Sequence, residues 1–369
     1  MIRSALASLA ILAALSASGF AGTSYVIVNN NAYTANSVSA YKLDIANGTL
    51  SFYGKVATTG QSLGGGILAV GQAITSDGHC LFAIDTRSND IAAFASPSYK
   101  LVGKFSNSAL SFKVEGGTIA VSPNGKFLYG AYTGTFNIGA WHVNPDCSLT
   151  FIAAYVPSVG ADTYSDLGVS PNGGVLVVSA PDLEAAESYK IGSNGSLTDL
   201  GFVSFAKVSS CGCFPAAIDF TKDSKIVVFG NSSIFQPSVL TASLSTSGAL
   251  TSPQLWDLPN SPGMAFSNAV FLSAQAYAGS GFLFVGMDFG VVTANFTENP
   301  LSITTANATT TDLVGGLAST GDTLVLADVN LSGALATFRI NSDGSLMLLS
   351  TVNDASGNPT WPTIYPNTR

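Results

Sequence analysis

Short apolar runs separated by tight polar turns recur along the chain. Ser76–Gly78 precedes Cys80–Ile84, Pro123–Gly125 precedes Phe127–Tyr129, Pro171–Gly173 precedes Val175–Val178, and Lys222–Ser224 precedes Ile226–Phe229. The turn positions Asp77, Asn124, Asn172 and Asp223 follow one another at intervals of 47 to 51 residues. Each joins Gly, Asn or Asp, which tolerate a tight-turn backbone, to a β-rich run. Gly279–Gly281 before Phe282–Val285 and Gly321–Asp322 before Leu324–Leu326 continue the series less regularly. A second set of turns lies further on in each unit: Asn47–Gly48, Asp146–Cys147, Asn194–Gly195, Ser247–Gly248, Asn299–Pro300 and Asp343–Gly344. Between the two sets sits an alternating apolar and polar strand, as in Val38–Ile45, Asn137–Val143, Ala186–Ile191 and Ala336–Ile340.

This order predicts four short antiparallel strands per unit of about 50 residues, a period that belongs to propeller blades rather than to helical solenoids. The predicted fold is an all-β, seven-bladed propeller with four-stranded blades. Ser24–Asn29 opens the series as a second-position strand, without an innermost partner. Thr360–Tyr365 is left over at the other end. Pairing the two closes the ring through the N-terminal blade and removes an open sheet edge.

Composition narrows the function classes. Of 369 residues only 10% are charged, and the net charge is −8 with 14 Lys and Arg in all. A nucleic-acid binder needs clustered cations for phosphate contacts, so that class is excluded. Arg3, the apolar stretch Ala5–Ala17 and the small residues Gly19 and Ala21 read as a signal segment cleaved after Ala21. The expectation is therefore a signal peptide over 1–22, a single propeller over 23–369, no membrane span once the signal is removed, and a monomer in the periplasm or outside the cell.

Export permits disulfides. Cys80, Cys147, Cys211 and Cys213 allow three pairings. Cys80 and Cys147 fall near turns of one face in neighbouring blades, and Cys211 and Cys213 share one inter-blade loop. The expected pairs are Cys80–Cys147 and Cys211–Cys213. Cys-x-Cys is not a usual zinc spacing and the chain has two histidines, so neither a metal nor a cofactor is expected.

Tyr25–Asn30 (YVIVNN), Ser122–Tyr129 (SPNGKFLY) and Ser170–Val178 (SPNGGVLVV) resemble the YVTN repeat and the Ser-Pro-Asp-Gly-Lys segment of the propeller lactonases. That family includes 6-phosphogluconolactonase and the carboxymuconate cyclases. The resemblance spans essentially 24–369 and implies the propeller fold and a lactone-hydrolysing chemistry. The family's Pro-His ahead of a Ser-Pro-Asp-Gly turn would fall at Tyr164–Ser165, at Pro215–Ala216 or at Gly117, and none holds His. Its Asp-Arg after Pro-Asp-Leu would fall near Ala186–Glu187, behind Pro181–Leu183. The matching base and carboxylate-binding Arg are thus absent at those places, and a 6-phospho sugar acid would meet few cations.

Loops leaving the second strands gather on one face of a propeller with the inter-blade loops. They carry Asn29, Asn30, Asp85, Tyr132, Asp182, Asn231, Asp288 and Asp328, and Ser165 lies in an inter-blade loop. Asp85, Tyr132, Ser165, Asp182, Asn231, Asp288 and Asp328 are the candidate ligand-binding rim. Asn and Asp also begin turns by accepting backbone hydrogen bonds, which gives the same residues a purely structural role. No catalytic residue is assigned. Two functions fit: an exported binding propeller for a small molecule, a carbohydrate or a protein partner, and a hydrolase of an unphosphorylated sugar lactone or related cyclic ester. Trp141, Trp256 and Trp361 could stack on sugars, or pack between blades.

Overall fold

The computed structural model describes residues 23–62, 74–95, 99–110, 117–160, 162, 166–208, 213–231, 237–261, 272–277, 280–287, 290–311, 314–320, 322–328, 333–353 and 360–365. The first blade carries β1 (Thr23–Asn29), β2 (Ser37–Asp44) and β3 (Thr49–Ala57). The second has β4 (Ile74–Ser76), β5 (Cys80–Asp85), β6 (Asp90–Ala95) and β7 (Lys100–Phe105). The third has β8 (Gly117–Val121), β9 (Phe127–Tyr132), β10 (Asn137–Val143) and β11 (Leu149–Tyr155). The fourth has β12 (Leu167–Val169), β13 (Val175–Ala180), β14 (Ala185–Ile191) and β15 (Leu197–Ser204). The fifth has β16 (Pro215–Phe220), β17 (Ile226–Asn231), β18 (Ser238–Leu244) and β19 (Leu250–Asp257). The sixth has β20 (Leu272–Tyr277), β21 (Ser280–Met287), β22 (Gly290–Glu298) and β23 (Leu301–Thr310). The seventh has β24 (Val314–Thr320), β25 (Thr323–Asp328), β26 (Ala334–Ile340) and β27 (Leu346–Asn353), after which β28 (Thr360–Tyr365) returns to the first blade.

Every blade is a four-stranded antiparallel meander, and the first has the order β28-β1-β2-β3. Val26 faces Ile364 and Tyr25 faces Tyr365 across the closing pair. The expected ring closure is therefore present, and β28 packs between the inner strands β24 and β4. Among the described residues no helix is long and apolar enough to cross a membrane.

The second strand of each blade shows why the ring holds. β5, β9, β13 and β17 are buried at every position. Alternate side chains point to opposite faces of a strand, so each such strand supplies two apolar surfaces. Phe82 and Ile84 join Leu128 and Trp141 at the seam with the third blade. Leu81 and Ala83 join Ile27 and Val38 at the seam with the first. Seven apolar clusters fill the seven seams, and Val26, Val28, Ala327, Leu335 and Ile364 share the one that closes the circle. The outermost strands have one open face and alternate accordingly, as in the exposed and half-buried sequence of β7.

In all seven blades the register slips between the third and fourth strands, after Ala40, Ala93, Ala140, Glu187, Thr241, Thr293 and Thr337. A β-bulge there increases local twist and turns the outer strand away from the ring. The turns between first and second strands are equally stereotyped. Ser122 Oγ accepts from Phe127 N at 3.0 Å and Asn124 Oδ1 accepts from Lys126 N at 3.0 Å. Ser170 Oγ and Asn172 Oδ1 do the same for Val175 N and Gly174 N. Gly125 and Gly173 take φ of 69° and 73°, which requires no Cβ, whereas Ser224 bears φ of 62° in the fifth blade.

Candidate functional site

Strand direction alternates, so the loops after second strands and the inter-blade loops share one face of the ring. Hydrogen bonds bear this out at the first seam. The inter-blade loop following β3 accepts from Asn36 N through Gly60 O at 2.9 Å and from Arg87 N through Gln61 O at 3.1 Å. This loop covers a dense polar cluster. Asn36 Nδ2 donates to Asn29 Oδ1 at 2.8 Å and to Asp85 Oδ1 at 2.7 Å. Thr58 Oγ1 also donates to Asp85 Oδ1, at 2.9 Å, and Asn29 Nδ2 reaches Ile84 O at 2.9 Å. Ser62 Oγ bonds Asn31 Oδ1 and lies 3.2 Å from Thr86 Oγ1.

Asp85 is closed to solvent, with 0% exposure. Burial pushes its carboxyl up to about 7, against the downward pull of the Asn36 and Thr58 hydrogen bonds and with the help of neighbouring Asp90. Asp90 is its register partner across the β5–β6 hairpin. Asp85 Oδ2 and Asp90 Oδ1 are both buried without a hydrogen-bond partner. A carboxyl pushed up to about 7 keeps its proton in mildly acidic solution. Lys104 Nζ sits 2.9 Å from Asp90 Oδ2. A methyl group at Gly60 would run into Asp85 Oδ2 and Ser88 Oγ, so glycine is what lets the loop close over the pair.

Above this sealed cluster the surface changes character. Arg87 is exposed and its guanidinium carbon stands 3.7 Å from the ring centroid of Tyr33, which is 53% exposed. That distance is a cation–π contact. Gln61 and Ser88 complete the exposed rim, with Ser88 Oγ accepting from Gln61 N at 3.0 Å. These four side chains offer an aromatic body, a fixed cation, an amide and a hydroxyl.

Of the seven residues expected at the rim, five lie among the described residues. Tyr132 is buried with Trp141, ring centroids 5.8 Å apart, and burial drives its phenol well above its ordinary value. Asn231 is buried and braces its own blade, accepting from Phe214 N at 2.9 Å and donating to Ser238 Oγ at 2.8 Å. Asn30 and Ser37 make the same brace in the first blade. Asp182 is exposed in the β13–β14 turn. Asp328 is the last residue of β25, opposite Val314. Ser165 and Asp288 lie outside the described residues. Glu187, at the place of the family's Asp-Arg, is buried and accepts from Ser158 N, Ser158 Oγ and Val159 N at 2.9, 2.7 and 3.1 Å, which holds the next inter-blade loop.

A second channel-face carboxylate escaped the sequence reading. Asp166 precedes β12 and bridges three inner strands: Thr118 Oγ1 and Leu167 N donate to Oδ1 at 2.9 Å, and Ile218 N donates to Oδ2 at 2.8 Å. Its neighbour Ser165 drew attention only through family alignment. For Asp85 and Asp90 the usable signal was their position at the two ends of one hairpin loop.

Cys80 and Cys147 form a disulfide with Cα atoms 5.4 Å apart, linking the second and third blades on the opposite face. Cys211 lies outside the described residues, and with it the expected Cys211–Cys213 pair. Both histidines stand on the disulfide's face. His79 follows the β4–β5 turn and His142 sits near the end of β10. Trp141 packs in the seam between the second and third blades.

No family model matches the chain and no curated protein does. Solved structures do. A candidate 6-phosphogluconolactonase from Bacteroides fragilis superposes with a TM-score of 0.74 at 14% identity, over 93% of this chain and 98% of that one. A periplasmic gluconolactonase from Pseudomonas aeruginosa gives 0.70 at 16% identity, over 93% and 99%. A protein from Lactobacillus plantarum gives 0.70 at 15%, over 93% and 99%. The chain shares the seven-bladed fold of these lactonase-like proteins.

Proposed function

We propose that this chain is an exported propeller of lactonase-like fold that binds a small uncharged polyhydroxylated ligand, a carbohydrate or its lactone, on the channel face at the rim of the first seam. The observation that carries the reading is the exposed Tyr33–Arg87 pair over a cluster whose own polar groups are mutually engaged. Aromatic faces with a few convergent polar groups suit neutral sugars. Gln61 and Ser88 are placed to read hydroxyl groups. The two imidazoles, the usual acid–base groups near neutral pH, stand on the other face. The disulfide between Cys80 and Cys147 supports an oxidising compartment.

Calorimetry with glucose, gluconate and glucono-δ-lactone tests this. The neutral ligands bind, and Tyr33→Ala weakens them by roughly fivefold or more, about 1 kcal/mol. Binding unchanged by Tyr33→Ala and Arg87→Gln would remove the site. A second reading, lactone hydrolysis, draws on the lactonase-like solved structures that share the fold. Turnover of glucono-δ-lactone that disappears in Tyr33→Ala and Arg87→Gln would establish that reading over simple binding.

A further inference from the structure

On the disulfide's face an open groove of about 550 Å³, bordered by His79, Lys126 and His142, lies beside the seam of the second and third blades. The seam before it, between the first and second blades, holds a smaller space of another kind, about 140 Å³. Ile27 and Val38 wall this cavity from the first blade, and Leu81 and Phe94 wall it from the second. All four belong to one buried apolar cluster.

The cavity exists because two small residues face each other. Ala40 on β2 pairs with Gly54 on β3, just before the register slip. Cross-strand partners share one face of a sheet, here the face that carries Val38 and Ala40 toward Leu81 and Phe94. A Cβ added to Gly54 would meet no atom within 4 Å. The second blade has a comparable pair, Ala93 and Gly103, but there the Phe105 ring comes within 3.3 Å of the place a Gly103 Cβ would take. In the other five blades the outer strand carries a side chain at this point, from Ala153, Phe202, Gln254, Asn307 or Ser350.

The slip also leaves Tyr53 without a partner across the ladder, and a bulge re-aims the extra residue. Tyr53 borders the cavity where it meets solvent. Its side chain is exposed, and its ring stands edge-on to Tyr25 with centroids 4.9 Å apart. Lys55 is the one charged residue on the border among the described residues, and strand alternation turns its side chain to the other face of β3.

We propose that this cavity is a binding site for one uncharged aromatic ring, of benzene or phenol size. An apolar cavity of roughly 150 Å³ stays dry and takes benzene, because water finds no hydrogen-bond partners in it. Phe94 and Tyr53 supply aromatic neighbours that favour an aromatic guest over a saturated one. A carboxylate or ammonium group would lose its hydration there without gaining a partner.

Fluorobenzene followed by fluorine NMR reports entry directly. Added to the full chain, its signal broadens and shifts saturably, with half-saturation on the order of millimolar. The melting temperature rises with ligand concentration. Gly54→Leu fills the open space and abolishes both responses, while the melting temperature without ligand stays at or above that of the parent. Ala40→Val fills the space from the facing strand, weakens binding by roughly tenfold, and replaces Gly54→Leu should that variant not fold. No response to fluorobenzene, or an undiminished response in the filled variant, would overturn the site. Benzoate or cyclohexane raising the melting temperature as much as fluorobenzene would overturn its selectivity for an uncharged aromatic ring. Tyr33→Ala leaves the response intact, so its outcome is separate from that of the channel-face site.

Discussion

The seam between the first and second blades and the groove beside the next seam meet water in opposite ways. On the channel face, Asn29, Asn36, Thr58 and Asp85 are buried and bonded to one another beneath Gly60. On the other face, His79, Lys126 and His142 are exposed around an open groove. Both sets contain titratable groups. Enclosure makes the first a structural proton store, because desolvation decides its ionisation. Openness leaves the second in contact with solvent.

The largest expected effect comes from cutting the link that frames the open groove. Cys147→Ser lowers stability by about 2–5 kcal/mol, read as a shift of the denaturant midpoint, and reductant added to the parent reproduces it. A midpoint unmoved by either treatment would mean that seam packing alone frames the groove. Next comes the sealed pair. The folded-state pKa of Asp85 is raised to about 7, so the folded chain retains a proton that the unfolded chain loses near pH 4. Its contribution to stability is full below the unfolded pKa and declines as pH rises through about 7, by up to about 4 kcal/mol. In Asp85→Asn the amide mimics the protonated acid and that decline disappears. Urea melts at both ends of the range check it, and parallel pH profiles for parent and variant would break the assignment.

Gly60→Ala tests the enclosure without touching a charge. It costs about 1–3 kcal/mol, as overpacking does, and a neutral effect would show that the loop is not closed over Asp85. Tyr129→Phe is the mildest change. It removes one interblade hydrogen bond, from Tyr129 Oη to Gly195 O at 3.2 Å, and costs about 1 kcal/mol by thermal melt.

Fold and site differed in how far they could be read from sequence. The Ser122–Gly125 and Ser170–Gly173 turns announce themselves because each is made by neighbours in sequence, with a side chain reaching two to five residues on. Strands between them are legible for a related reason, since Leu81 and Phe82 must face different blades. The sealed cluster was illegible because Asn36 and Asp85 lie 49 residues apart, and Asn29 and Ile84 lie 55 apart. Their meeting depends on how two blades dock. Tyr132 was misplaced on the rim for the same reason: its position at a strand end is local, but its ring is drawn into the seam by Trp141. Arg87 carried no local signal, because its ring partner Tyr33 comes from another blade.

Closure through β28 has a consequence for biosynthesis. Thr23–Asn29 emerges early from the ribosome, yet its inner neighbour is made more than 300 residues later. Until then the nascent chain presents a bare row of amide and carbonyl groups along Tyr25–Ile27. Folding of the first blade is thereby deferred to the end of translation, and premature termination anywhere upstream of Thr360 leaves an incomplete circle with a sticky margin.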